Sequence, residues 1–238
     1  MSKVKVLLVD DHGLVREGIK MILEKERHFE VVGEATDGRK ALAALQKVTA
    51  DVILMDISMP NLNGFEAIFQ IKRSYPDAKI LVLTVHTNEE YVYKSLKAGA
   101  LGYLVKDSAV SELVGAVRAV AEGKPYLSPS ISKAVVDRLT HPGEMAKEDS
   151  PLERLTPRER EILQLIGEGK NYQQIADILN ISYKTVENHR AHIVEKLGVR
   201  ERAQIVRYAI DMGLVSEDSM VNLEKTNSEK NKGGKIEK

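Results

Sequence analysis

Five short apolar runs alternate with stretches of helical periodicity over the first 123 residues of this 238-residue chain. The runs are rich in β-branched residues, and they are Val4–Val9, Glu30–Val32, Val52–Met55, Ile80–Val85 and Gly102–Val105. Stretches such as LVREGIKMILEK and ELVGAVRAVAEG lie between or after them. Strands that alternate with helices predict an α/β fold with a doubly wound, five-stranded parallel sheet. In such a sheet the functional crevice lies beyond the carboxyl ends of the strands.

Helical and turn patterns replace the strand pattern after residue 123. Residues 124–150 carry two clusters of turn formers, KPYLSP and HPGEMAKEDSP, around one predicted helix from Ser130 to Leu139, which indicates a linker. Residues 151–215 show short helical patterns and predict a small all-α domain. Residues 216–238 are polar and contain glycine, which predicts a disordered tail. The first domain is therefore expected to span residues 1–123.

Composition narrows the class of protein. Apolar residues make up 43% of the chain and charged residues 29%, which is ordinary for a soluble globular protein. The absence of cysteine excludes a disulfide framework and a thiolate metal site. No apolar run approaches the roughly 18 residues of a membrane span, and MSKVKVLLVD is a poor signal peptide, so we expect a cytoplasmic protein without a membrane partner. Because the net charge is zero, binding to nucleic acid would depend on a local surface.

Acidic side chains follow the ends of predicted strands. Asp10 and Asp11 end the first strand, Asp56 ends the third, Thr84 lies near the end of the fourth and Lys106 ends the fifth. A lone strand-terminal aspartate is usually a solvated turn residue or a helix cap, but a parallel sheet gathers all these groups at one edge. Adjacent carboxylates favour a cation among them, and oxygen ligands suit Mg²⁺. With a lysine and a hydroxyl opposite, the pattern indicates phosphoryl transfer to an aspartate, with Asp56 as the nucleophile.

Residues 1–123 resemble the receiver domain of two-component response regulators, through LLVDDH, ILMDISMPNLNGFE, LTVH and AGALGYLVKD. The resemblance implies a flavodoxin-like fold, a Mg²⁺ cofactor and a phosphoryl group that a partner histidine kinase transfers to Asp56. The other roles that it implies are Asp11 and the Ser58 carbonyl as metal ligands, Asp10 as a ligand through water, Lys106 as the partner of a phosphoryl oxygen, Thr84 and Tyr103 as the switch pair, and Pro60 and Gly64 as shapers of the loop. Many receivers have proline after the lysine, whereas this chain has Asp107.

The LTPREREILQLIGEG segment begins like a helix, with Thr156 as N-cap, Pro157 at the first helical position and Glu159 completing a capping box. A second short helix follows in NYQQIADILNIS, and Ser182 caps a third helix that Gly198 closes. The apolar face of this third helix consists of Val186, Ile193, Val194 and Leu197, and its polar face of Lys184, Asn188, Ala191 and Glu195. A helix-turn-helix that enters a major groove and a plain helical bundle both account for this pattern.

Residues 155–213 resemble the LuxR-type DNA-binding domain of NarL/FixJ-class response regulators, through LTPRERE, IADILNIS and KTVENHRAHIVEKLGV. The resemblance implies a transcription regulator that binds double-stranded DNA. Because one small helix-turn-helix should bind DNA weakly, we expect phosphorylation to favour a homodimer on paired half-sites. Asn188 suits an adenine edge, Glu187 suits cytosine N4 and Ala191 suits a thymine methyl group. The residues expected at phosphates are Lys184, Thr185, Lys196 and Lys170. In the last predicted helix, Arg202–Met212, an apolar stripe of Ala203, Val206 and Ile210 either completes the core or pairs two protomers.

Alternatives remain at both domains. A phosphohydrolase could use the same carboxylates, but such enzymes need a second acid near the nucleophile, and Ser58 stands two residues after Asp56. A receiver that acts without phosphate is disfavoured because the metal acids, acceptor, threonine and lysine are all present. His189 and His192 have a spacing that could share a metal, but the sequence shows no third ligand. We therefore expect a phosphoacceptor regulator, not an enzyme, with His12 and His86 as loop residues.

Overall fold

The computed structural model describes residues 3–132, 154–199 and 201–215. The chain divides into two compact units, residues 1–147 and 148–238. Residues 129–132 are helical, and the remainder of the helix predicted from Ser130 to Leu139 lies outside the described residues. The predicted tail, residues 216–238, also lies outside them.

A parallel sheet with the strand order β2-β1-β3-β4-β5-β6 forms the centre of the first unit. The strands are β1 (Val4–Val9), β2 (Phe29–Ala35), β3 (Val52–Met55), β4 (Ile80–Thr84), β5 (Gly102–Val105) and β6 (Tyr126–Leu127). The helices are α1 (Gly13–Glu24), α2 (Gly38–Leu45), α3 (Gly64–Ser74), α4 (Glu89–Ala98) and α5 (Ala109–Ala121), with a 3₁₀ helix at Lys106–Ser108. The α/β fold with a doubly wound parallel sheet is thus confirmed.

The sheet has one strand more than the five that were predicted. β6 pairs with β5 in parallel, with Tyr126 opposite Gly102 and Leu127 opposite Tyr103. The prediction of five strands was wrong because a strand of two residues shows no alternation along the sequence. Its extended form depends on hydrogen bonds to a neighbour that lies more than 20 positions earlier in the chain. β6 falls inside the 124–150 segment that turn formers had marked as a linker.

Two buried clusters cover the two faces of the sheet. Alternate strand residues point to opposite faces, so that Leu7 and Ile53 pack on one side while Leu8 and Leu54 pack on the other. The first side also receives apolar residues from α2, α3 and α4, and the second receives them from α1 and α5. Because both faces are covered, the strands read as continuous apolar runs, and they leave their carboxyl ends as the accessible edge.

The described residues of the second unit contain four α-helices: α6 (Pro157–Gly167), α7 (Tyr172–Leu179), α8 (Tyr183–Leu197) and α9 (Arg202–Asp211). The capping box of Thr156 and Glu159 is present, and Ser182 accepts a hydrogen bond from the Thr185 N–H at the start of α8. Gly198 ends α8 with a φ of 66°, a left-handed conformation that glycine adopts without strain. No helix in the described part of the chain is long and apolar enough to cross a membrane.

Candidate functional site

The carboxyl ends of β1, β3 and β5 bring two acidic residues and a lysine together. Val9 pairs with Met55 in adjacent strands, so that Asp10 and Asp56 follow at the same edge of the sheet. Both aspartates are 3% exposed. Nζ of Lys106 lies 2.6 Å from Asp56 Oδ2 and 2.7 Å from Asp10 Oδ2. The register of the sheet therefore places the ammonium group between two buried carboxylates.

Asp11 and His12 lie on the outer side of this pair. Carboxylate or imidazole atoms of Asp10, Asp11, His12 and Asp56 all lie within 4.8 Å of one another. His12 Nδ1 is 3.0 Å from Asp11 Oδ1, and the His12 N–H donates a hydrogen bond to Asp10 Oδ1 over 2.8 Å. From the sequence, His12 was expected only to be a loop residue. It reaches the cluster because it is the residue before α1, which starts directly after the two aspartates.

Burial dominates the electrostatics of Asp56. It raises the pKa of this carboxyl above its ordinary value of 3.8 and Asp10 adds to the rise, while Lys106 and the Ile57 N–H offset it in part. The Ile57 N–H donates to Asp56 Oδ1 over 2.6 Å. Burial alone would lower the pKa of Lys106, but Asp56 and Asp10 outweigh burial and raise it. One lysine thus leaves the two carboxylates incompletely neutralised.

The donor atoms fit a hard divalent cation. Asp10 Oδ2 is buried, and it shares the Lys106 ammonium, which lies 2.7 Å away, with Asp56. Carboxylate and carbonyl oxygens are the ligands that Mg²⁺ prefers, and a second positive charge would offset the burial of Asp56. Asp10, Asp11 and Asp56 supply the carboxylates, and Ser58 follows Asp56 by two residues. This acidic pocket is therefore suited to Mg²⁺.

The loop after Asp56 approaches it closely enough to require glycine. The Gly64 N–H donates to the Ile57 carbonyl over 2.9 Å. A Cβ atom at Gly64 would lie 2.2 Å from the Asp56 carbonyl oxygen, which no side chain can accommodate. Asn63 caps α3 by accepting a hydrogen bond from its first turn, and the Pro60 carbonyl accepts a hydrogen bond inside the preceding turn. The start of α3 thus fixes the backbone of Asp56.

Thr84 and Tyr103, the predicted switch pair, are both fully buried next to the chain that follows β4. The Tyr103 hydroxyl donates to the His86 carbonyl over 2.8 Å, and Thr84 Oγ1 accepts a long hydrogen bond of 3.4 Å from the His86 N–H. The His86 ring stacks on Tyr91, and its Nε2 is 2.7 Å from Ser58 Oγ. Burial lowers the pKa of His86, and it raises the pKa of Tyr103 well above its usual value. His86 therefore connects the switch pair to the loop after Asp56.

In the second unit, α8 presents the predicted polar face. Lys184, Asn188 and Ala191 are exposed, while Thr185 and Glu187 are half-buried. Nζ of Lys184 lies 3.1 Å from a Glu187 carboxylate oxygen. The structure thus brings these five predicted DNA-contact residues to one helix.

Lys196 and Lys170 differ from that group. Nζ of Lys196 lies 2.6 Å from Glu159 Oε2, in an ion pair that ties α8 to the start of α6. Lys170 is half-buried, and its carbonyl accepts a hydrogen bond from Arg202 over 2.9 Å. Lys196 therefore has a structural partner, Glu159, which the sequence pattern does not predict.

Glu159 also supplies the third potential ligand beside His189 and His192, with the three donor atoms within 4.8 Å of one another. However, Glu159 already accepts hydrogen bonds from the Thr156 N–H over 2.8 Å and from Lys196. The nearer His192 atom is 3.8 Å from Glu159 Oε1. A helix cap and an ion pair account for this cluster without a metal.

Comparison with known proteins agrees with both units. Residues 6–118 match the response regulator receiver domain, and residues 153–209 match the bacterial regulatory proteins of the luxR family. Transcriptional regulatory protein DegU of Brevibacillus brevis is 41% identical over 226 residues, which cover 90% of this chain and 96% of that protein. Transcriptional regulatory protein LiaR of Bacillus subtilis is 44% identical over 206 residues, which cover 87% and 96%.

Solved structures give the same result. The RcsB response regulator of Salmonella typhimurium has a TM-score of 0.56 and 32% identity, and the match covers 87% of this chain and 98% of that chain. A second RcsB structure, of two RcsB dimers bound to two parallel DNAs, has a TM-score of 0.55 and 31% identity with the same coverage.

Together, the receiver fold and the LuxR-type helical unit define a two-component response regulator. Within that class, the chain belongs to the NarL/FixJ family of DNA-binding transcriptional regulators.

Proposed function

We propose that this regulator is switched by a phosphoryl group that Asp56 accepts from a partner histidine kinase. The observation that carries the proposal is the geometry of Asp56, which is buried at the end of β3 with Lys106 Nζ at 2.6 Å and with Asp10 and Asp11 beside it. Burying the two carboxylates of Asp10 and Asp56 around one lysine is costly unless more positive charge arrives. Binding of a cation and a phosphoryl group by these residues would account for the cluster.

Asp56 acts as the nucleophile. One of its carboxylate oxygens forms a bond to the phosphorus of a phosphohistidine while the P–N bond breaks, and the electron pair leaves with the imidazole of the kinase. Lys106 neutralises the charge on the phosphoryl oxygens, for which it is already placed. Mg²⁺, bound by Asp11, Asp56 and the Ser58 carbonyl and by Asp10 through water, would supply a further positive charge at those oxygens.

Thr84 and Tyr103 transmit the event. The Thr84 hydroxyl, which holds the His86 N–H only at 3.4 Å, turns to the phosphoryl oxygen. This movement vacates space for Tyr103, whose side chain is already buried and whose hydroxyl donates to the His86 carbonyl over 2.8 Å. Two packings of these side chains form a bistable element, and the phosphoryl group biases it toward one of them.

The polar face of α8 reads DNA in the major groove. Asn188, Glu187 and Ala191 contact base edges, and Lys184 and Thr185 contact phosphates. Lys184 is exposed, and its ion-pair partner among the described residues is Glu187 on its own helix. Lys170 and Lys196 contribute less to phosphate binding. Lys170 is half-buried, and Lys196 pairs with Glu159.

Phosphorylation favours a homodimer that occupies paired half-sites. RcsB, a relative of known structure, binds DNA as dimers. In α9 the core side is formed by Ile205 and Ala209, whereas Ala203 is exposed and lines a surface groove with Val206 and Ile210. Val206 and Ile210 also pack in part against the core, and a second protomer would cover their remaining surface together with Ala203. Two helical units held together reach half-sites about 34–36 Å apart and gain avidity of ~10²–10⁴.

Since DNA is the target, the protein acts in the cytoplasm.

The test is intact mass spectrometry of the full chain after incubation with a small acyl phosphate and Mg²⁺. We expect wild type to gain one phosphoryl group and Asp56→Asn to gain none. Asp51→Asn is the matched control, because Asp51 is an exposed acid at the other end of the same strand and should leave labelling unchanged. Equal labelling of wild type and Asp56→Asn would refute the assignment, and repeated hydrolysis of a phosphate monoester would indicate a phosphohydrolase instead.

A further inference from the structure

Ser128 follows β6 directly and is bonded to β5 at two points. It lies beyond residues 6–118, which match the receiver family, yet it is completely buried. The Ser128 N–H donates to the Tyr103 carbonyl over 3.0 Å, and Ser128 Oγ accepts from the Val105 N–H over 3.2 Å. One serine therefore contacts β5 at both the predicted switch residue and its last strand residue.

The hydroxyl of Ser128 replaces a missing strand partner. β6 ends at Leu127, so that the ladder between β5 and β6 stops before it reaches Val105. Val105 is 2% exposed, and a buried N–H without a partner is costly. The Ser128 side chain accepts this hydrogen bond and so extends the ladder by one bond, which fixes the end of β5.

Glu112, on α5, determines which way the Ser128 hydroxyl points. Ser128 Oγ donates to Glu112 Oε2 over 2.8 Å, and the Tyr126 hydroxyl donates to the same oxygen over 2.9 Å. Because a serine hydroxyl has a single hydrogen, donation to Glu112 leaves its lone pairs for the Val105 N–H. Burial and then Glu112 raise the pKa of Tyr126 to about 12, so its hydroxyl stays protonated and remains a donor at neutral pH.

The residue after Val105 is Lys106, whose Nζ bonds Asp56. Lys106 also starts the 3₁₀ helix that leads into α5, where Glu112 lies. The hydrogen bonds from Glu112 to Ser128 and from Ser128 to Val105 thus close a ring, whose other side is the stretch of chain from Val105 to Glu112. Lys106 is one of the residues of that ring, between Val105 and α5.

We propose that Ser128 is a positioning residue for phosphoryl transfer, which fixes the backbone at Val105 and so holds the Lys106 ammonium at Asp56. This inference rests on the proposed role of Asp56 as phosphoacceptor. The functional receiver then extends past residue 123. Ile131, whose N–H donates to the Ser128 carbonyl, is buried in the same cluster as Tyr103.

The experiment compares full-length variants for the rate of labelling by a small acyl phosphate with Mg²⁺. Ser128→Ala should slow labelling about 3- to 10-fold, the range that one hydrogen bond provides. The Mg²⁺ concentration for half-maximal rate should not change, because the metal-binding acids are untouched. Amide exchange at Val105 should become faster, and Ser128→Thr, which keeps a hydroxyl, should restore the rate.

Ser132→Ala is the matched control. It removes a serine hydroxyl from the same segment, but that hydroxyl donates to the Ser128 and Leu127 carbonyls and does not contact β5. Its labelling rate and Val105 exchange should equal those of wild type. If Ser128→Ala does not fold, Glu112→Ala removes the acceptor that orients the hydroxyl and should slow labelling in the same way.

A double-mutant cycle separates positioning from general destabilisation. If Ser128 acts through Lys106, Ser128→Ala should add no further loss when Lys106 is already alanine, as measured by intact mass over long incubations. A normal rate for Ser128→Ala, or an equal loss in both backgrounds, would overturn the proposal. Labelling of Asp56→Asn would instead refute the proposed function itself, so the two failures are distinguishable.

Discussion

Replacing Lys196 by alanine should destabilise the helical unit more than it weakens DNA binding. Lys196 Nζ lies 2.6 Å from a Glu159 oxygen, and the Glu159 side chain is only 4% exposed. Glu159 also caps α6 through the Thr156 N–H. The variant therefore leaves a buried carboxylate with its cap hydrogen bond but without its cation.

The magnitude lies between two known limits. Exposed ion pairs contribute about 0–1 kcal/mol, whereas removing one partner from a fully buried pair costs about 3–5 kcal/mol. The Lys196 side chain is 34% exposed, and Glu159 keeps one donor, so we expect a loss of about 1–2 kcal/mol. For a domain of this size, each kcal/mol lowers Tm by about 4–8 °C.

The pH dependence has a definite sign. Burial alone would raise the pKa of Glu159, but the hydrogen bonds from Lys196 and Thr156 lower it below its ordinary value of 4.5. A carboxylate with a lowered pKa in the folded state stabilises the fold above its unfolded pKa, and the contribution disappears as the pH falls through the folded pKa. The Tm difference between wild type and Lys196→Ala should therefore be full at pH 7 and shrink below about pH 4.5.

The assay is thermal unfolding of the full chain, combined with DNA affinity at several salt concentrations. Lys184→Ala is the matched control, because Lys184 is on the same helix and its side chain is 77% exposed. It should change stability by less than about 0.5 kcal/mol and reduce the salt slope of DNA binding by about one unit. If Lys196→Ala kept the wild-type Tm and reduced the salt slope like Lys184→Ala, Lys196 would be a phosphate contact and this reasoning would be wrong.

Three further predictions test other parts of the molecule. Thr84→Ala should be phosphorylated like wild type, as intact mass would show, but should lose most of the phosphate-dependent gain in DNA affinity; a full gain would exclude Thr84 from the switch. Asn188→Ala should cost about 1–3 kcal/mol on the cognate site and little on random DNA, and equal losses on both would contradict a base contact. Gly64→Ala should lower Tm clearly because its Cβ would overlap the Asp56 carbonyl, whereas Gly18→Ala, with open space around it, should not; equal Tm values would mean that the loop can move.

The strand ends could be predicted from sequence because they depend on local pattern and on one general rule. Continuous apolar runs indicated strands buried on both faces, and parallel strands share an edge. Asp10 and Asp56 therefore had to lie near each other, and the pairing of Val9 with Met55 brings them together. The capping box at Thr156 was equally local, since its two residues are three positions apart.

Contacts between distant loops could not be predicted in the same way. Ser58 and His86 are 28 positions apart, and their hydrogen bond depends on how two loops pack beyond the sheet. Glu159 was identified as a cap, but its pairing with Lys196 requires the packing of α6 against α8. A surface lysine in a helix next to predicted DNA contacts gives no local sign that a buried acid lies within reach.

β5 is the strand on which these parts converge. It carries Tyr103 and is followed directly by Lys106, while β4 on one side contributes Thr84 and β6 on the other is followed by Ser128. A shift of the Tyr103 backbone would therefore act on Ser128 directly, through the hydrogen bond from the Ser128 N–H to the Tyr103 carbonyl. The bonds proposed to hold Lys106 in place for chemistry therefore meet the proposed switch pair at one backbone group, the Tyr103 carbonyl.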